Sequence, residues 1–191
     1  MTHVALLIIR LTIGGLLAGH GAQKLFGSFG GRGIEGTEQW LGSLGMRPAR
    51  SWALTAGFSE FGGGVLTALG FLNPIGPLLG IGAMIMATVK VHLGRPIWVT
   101  EGGAELPVMN IAALSAIALA GPGALSADRL LGVRLPRRIV IPALVGIGWS
   151  VAYATRSEAD GEPESTAEPA ADTAAAEPGD VAAQPEPAPV A

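Results

Sequence analysis

The stretch VALLIIRLTIGGLLAGHGAQKL, residues 4–25, decides the fold. It is long enough to cross a bilayer as one α-helix, which takes roughly 20 apolar residues, and its only charges are Arg10 and Lys24. No basic n-region precedes it and no clear A-x-A site follows. It also outruns the apolar core of a signal peptide, so it reads as a retained helix.

The pattern repeats along the chain. Residues 51–72, SWALTAGFSEFGGGVLTALGFL, form a second expected span. Asn73-Pro74 then turns directly into a third over residues 74–93, so tightly that the two must run antiparallel. A fourth span is expected from Glu105 or Pro107 to Gly121, with Pro107 in the first turn, where its missing N–H costs little. A last apolar segment, RIVIPALVGIGWSVAYAT at residues 138–155, reads as a fifth crossing close to the lower length limit. Trp149 and Tyr153 near its end resemble an interfacial aromatic belt. Between spans, EGTEQWLGSLGM (35–46) suits a short interfacial helix anchored by Trp40. Ser126 is placed to cap a short helix beginning at Ala127. The expected architecture is therefore all-α and integral to the membrane, a four-helix transmembrane bundle with a fifth C-terminal transmembrane helix.

Charge divides the chain in two. Residues 1–156 hold all 12 Lys and Arg and only six acids, a net +6, whereas residues 157–191 hold nine acids and no base. That acidic, Ala- and Pro-rich segment has too few large apolar residues to offset its ordering entropy and is expected to be disordered. Over the whole chain only 14% of residues are charged, against about 25% in soluble domains. The absence of cysteine excludes disulfides, thiol redox chemistry and cysteine-held iron–sulfur clusters. With five spans, the first and third connections and the tail share a side. Their Arg32, Arg47, Arg50, Arg95 and Arg156 face Arg129, Arg134, Arg137 and Arg138 on the other, a weak lean towards the first and third connections being cytoplasmic.

Function must come from the polar residues that the spans retain, because each ionisable group in a membrane asks for a partner. Glu60 lies mid-helix, and Ala53, Ala56, Gly57, Gly63, Gly64 and Thr67 share its face, a small-residue stripe that admits a neighbouring helix. Glu60 is therefore expected to point into the bundle, with Arg10 of the first helix as its partner. A purely structural ion pair is as good a reading of these two residues as a functional one. His20 and Lys24 close the first helix, Lys90 and His92 close the third, and Glu105 and Asn110 open the fourth. The alternation of spans gathers all of these with Glu60 in one half of the membrane. Lys90 and His92 stand on opposite faces of their helix and cannot share a groove, and either lysine alone is more simply a snorkelling anchor. His20, between Gly19 and Gly21, has room beside its ring, although a lone histidine is more often structural than catalytic.

His20 and His92 would be the candidate ligands of a b-type haem, a reading with no second signal behind it. No zinc spacing, P-loop or nucleophile–base motif is present; GSFGGRG and FGGG lack the Lys-Ser/Thr and the strand–helix setting. Nucleic-acid binding has no support.

The blocks RLTIGGLLAGHGAQKLFG and SEFGGGVLTALGFL, then Lys90 to His92, then GPGALSADRLLG, resemble the DoxX family of bacterial membrane proteins over residues 8–132. The resemblance implies a four-helix membrane unit at residues 1–132, with the extra span at 133–156 and the tail at 157–191 similar to actinobacterial members. It makes Arg10, His20, Lys24, Glu60 and His92 the family-like polar residues. Some DoxD-type relatives are subunits of thiosulfate:quinone oxidoreductases, and others accompany oxidative-stress and redox proteins. The expectation that follows is a multi-pass subunit of a membrane redox system in the bacterial plasma membrane, with the lipid bilayer, quinone and soluble redox enzymes as partners and self-association open to it. The chain has no cofactor motif of its own. A non-catalytic scaffold for redox enzymes and a small transporter or proton-linked channel are the alternatives.

Overall fold

The structure is a computed structural model that describes residues 1–159, with side chains through residue 152. The acidic segment lies almost wholly outside the described residues. Among them every regular element is helical.

Helix α1 (Thr2–Phe26) ends at Gly27 in the left-handed conformation, and α2 (Gly33–Ser43) follows across a short 3₁₀ turn. A helix therefore forms where the sequence signal places one, beginning two residues earlier. Helix α3 (Ala49–Leu69) is closed by Gly70, and Asn73-Pro74 leads into α4 (Ile75–Ala87), which ends in one π-helical turn, Thr88–His92. Helix α5 (Glu105–Ala120) carries Pro107 in its first turn, as expected. Ser126 caps α6 (Ala127–Leu131), its Oγ accepting the Arg129 N–H at 3.3 Å. Helix α7 (Val140–Ala159) runs three residues past the boundary expected for the tail.

Small residues set the packing of α1 on α3. A Cβ on Gly14 would meet the backbone of Gly64 and Ala68, one on Gly64 the backbone of Ala18, one on Gly21 that of Phe61, and one on Gly57 the Leu25 side chain, each closer than 3.0 Å. These contacts step by about four residues in opposite directions along the two helices, so the pair is antiparallel and touches backbone to backbone. Helix α4 returns along α3, with Gly63 against Gly76 and Gly80. Leu17, Ile81, Met84 and Leu114 join α1, α4 and α5 in one apolar core, and Leu144 brings α7 onto its edge. A second core of Leu41, Met46 and Ala53 seats α2 on α3.

The distribution of polarity is inverted relative to a soluble bundle. Arg10 is 1% exposed and Glu60 3%, whereas Leu16 is 63% and Phe58 60% exposed on the outer surface of the same two helices. Burying a guanidinium while displaying large apolar side chains is unfavourable in water and natural in lipid. By length and apolar composition, Thr2–Phe26 and Ile75–His92 qualify as membrane spans. Helix α3 has the length but dilutes its apolar residues with Gly, Ser, Thr and Glu60, and α5 is shorter at 16 residues.

Candidate functional site

Glu60 points into the bundle, as its small-residue stripe requires: Ala53, Gly57, Glu60, Gly63, Gly64 and Thr67 are the buried residues of α3. Its partner is not the one expected. The Lys24 ammonium, at the end of α1, forms an ion pair with Glu60 Oε2. Arg10 lies far from it. The glycine contacts set Glu60 level with about residue 22 of α1, twelve residues beyond Arg10, or ~18 Å along the axis. Aligning the two spans end to end would have placed the pair within reach; the close glycine contacts slide α3 along α1 instead.

Arg10 is held at the opposite end of the bundle. Its Nη2 donates to the Leu125 carbonyl, and its guanidinium fills the space that a side chain on Gly70 would need. Asp128 stands near enough to attract it while accepting the backbone N–H groups of Leu72 and Asn73 at 2.8 and 2.9 Å. Arg10 thus ties α1 to the α3–α4 turn and to the loop before α6.

The other candidates separate into those that share a cavity and those that do not. A groove of about 380 Å³ opens between α2, α3 and α4, with Ile147 of α7 at its rim. Lys24, Glu60 and Lys90 line it. Trp40, Met46, Trp52, Leu79 and Met86 supply much of the rest of the wall. His92 leaves this face, as the helical geometry demands, and its Nδ1 lies 2.7 Å from the Gly102 carbonyl. His20 is exposed and bonds to Gln23 Oε1 at 3.1 Å. Gly21 beside it serves the contact with Phe61 rather than the histidine ring. Glu105 accepts the Val99 N–H at 2.9 Å, and the Asn110 amide contacts Met84 Sδ at 3.8 Å. The alternation of spans therefore brings these groups to one end of the bundle but admits three of them to a common cavity.

Two of the groove's walls are missing from the sequence reading. Trp40 is there only as a membrane anchor, and Trp52 carries no signal. Both reach the groove because α2 folds back onto the first turns of α3. The π-turn at the end of α4, an uncommon element often found at functional sites, carries Lys90 at the groove's edge.

Among the described residues every regular element is helical, ionic groups are buried and large apolar side chains face outward, the pattern of a helical membrane protein. Residues 5–93 match the model of the DoxX family. These residues form a DoxX family domain, and the match runs from α1 through the π-turn and so contains Lys24, Glu60 and Lys90. The GPGALSADRLLG block that also carries the resemblance lies beyond it. No curated protein and no solved structure matches the chain significantly.

Proposed function

We propose that this protein is the membrane subunit of a redox system and that the α2–α3–α4 groove receives a quinone headgroup. The observation behind this reading is the groove itself: a cavity of about 380 Å³ with an apolar wall, two indole rings, and an ionic pair and a second lysine at its polar end. A quinone is a flat ring with two carbonyl acceptors and an apolar tail. Such a ligand needs apolar walls, a few fixed donors and a source of protons. The ammonium groups of Lys24 and Lys90 are donors suited to a ring carbonyl. Glu60 holds Lys24 in place and is a carboxylate through which a proton can pass. Reduction to the quinol takes two electrons and two protons. The electrons come from a partner carrying a redox cofactor, the soluble or membrane-bound enzyme that this subunit would serve.

In this reading α1, α3, α4, α5 and α7 all cross the bacterial plasma membrane, residues 1–132 form the DoxX-like unit, and residues 157–191 are an appended tail.

The test is binding of a short-chain naphthoquinone to the full-length protein in lipid nanodiscs. Trp98→Phe and Trp149→Phe in the background leave Trp40 and Trp52 as reporters in the groove. Saturable quenching is expected, with affinity reduced roughly tenfold by Lys24→Met, the size of a lost charge-assisted hydrogen bond. Quenching that rises linearly without saturation, as from quinone dissolved in lipid, would rule the groove out as a quinone site.

A further inference from the structure

The end of the bundle remote from Lys24, Glu60 and Lys90 holds a second cavity, larger and of different chemistry. It has a volume of about 710 Å³ and lies among the start of α1, the α3–α4 turn, the end of α5, α6 and the segment leading to α7. Arg129, Arg134 and Arg137 line it, all three exposed. His3 joins them, its Nδ1 placed to accept the Ala124 N–H at 3.3 Å. The one acid in the wall is Asp128, and its two oxygens are taken by the backbone N–H groups of Leu72 and Asn73. Among the described residues the ion pairs are Lys24–Glu60 and Arg50–Glu38, so none of the three arginines is matched with a described carboxylate. Leu6, Val133 and Leu135 give the same cavity an apolar side.

We infer that this cavity binds the phosphate of an anionic phospholipid headgroup. Three arginines lining one cavity are a phosphate-recognising set, because each guanidinium offers a planar fork of donors that fits phosphate oxygens two at a time; Arg137 Nη1 also donates to the Leu119 carbonyl at 3.5 Å, which leaves the rest of its fork. The position selects a lipid over a free anion. The cavity lies where helices begin and end, the level that headgroups would occupy if these helices span, and its apolar side suits the first carbons of acyl chains. Basic pockets between helix ends are where membrane proteins hold anionic lipids. This site does not depend on the quinone reading, since the two cavities share no residue.

Native mass spectrometry of the full-length protein, released from nanodiscs of phosphatidylglycerol and phosphatidylcholine in equal parts, tests the inference. The wild-type protein is expected to retain phosphatidylglycerol in preference to phosphatidylcholine. The triple variant Arg129→Gln, Arg134→Gln, Arg137→Gln should lose that preference, with affinity down roughly 10- to 100-fold. Equal retention of the two lipids by the wild type would overturn the inference whether or not the variant folds, as would an undiminished preference in a folded triple variant. Displacement of the lipid by millimolar inorganic phosphate alone would also overturn it, by showing that the cavity reads a free anion.

Discussion

Lys24 and Glu60 are unequal partners. The Glu60 side chain is 5% exposed and that of Lys24 24%, so removing either leaves a different problem behind. Lys24→Met strands a carboxylate in the interior, which costs about 3 kcal/mol. Glu60→Gln leaves an ammonium on a flexible stem at the end of its helix, free to snorkel towards the headgroups, and costs about 1 kcal/mol. The double variant should cost less than the two singles added, because the stranded charge disappears with its partner. Thermal unfolding of the four proteins in one detergent measures this, and strict additivity would mean that the pair contributes nothing. The burial of Glu60 is legible in the sequence from its stripe of small neighbours. The identity of its partner is not, because either basic residue of α1 satisfies the same need for a countercharge.

At the level of the elements, the α1–α3 contact decides where each polar group lies, and its glycines fall into two kinds. A Cβ on Gly14 or Gly21 would collide with the backbone of α3, whereas one on Gly15 or Gly19 meets nothing within 4 Å. Gly14→Ala and Gly21→Ala should each destabilise the protein by about 1–3 kcal/mol, since backbone cannot move aside as a flexible side chain can. Gly15→Ala and Gly19→Ala should be neutral or stabilising by up to about 1 kcal/mol, through the higher helix propensity of alanine. Midpoints of unfolding for the four variants separate the two groups; similar losses at all four positions would show that the close contact is elsewhere. Helix limits, the Asn73-Pro74 turn, Pro107 in the first turn of α5 and the Ser126 cap follow from local sequence, because caps and turns are determined within a few residues. The choice among glycines is not local: GGLLAGHG gives no sign of which ones face α3.

For the whole molecule, the direction of the helices puts the polar end of the groove, at Lys24, Glu60 and Lys90, and the arginine-lined cavity at opposite ends. The end of α1 and the length of α4 with its π-turn, from Ile75 to Val91, frame the first, and the start of α1 and the segment leading to α7 frame the second. If all five helices cross, as proposed, the polar end of the groove and the arginine-lined cavity face opposite sides of the membrane. The chain has no cysteine, so single substitutions report membrane sidedness without background. Arg32→Cys and Val99→Cys should react with an impermeant maleimide from one side of the membrane, and Ala124→Cys from the other. Ser157→Cys should side with Arg32→Cys. Labelling of position 157 together with position 124 would show that α7 does not cross. The sequence alone points to a membrane and gives the approximate limits of the helices, because hydropathy, caps and turns are properties of one chain read in order. Only the tertiary structure decides that Lys24 rather than Arg10 meets Glu60, that Lys90 joins them while His20 and His92 do not, and that two tryptophans complete the groove. The physical reason is register: backbone contacts between α1 and α3 set how far one helix slides along the other, and a few residues of slide decide which charges meet.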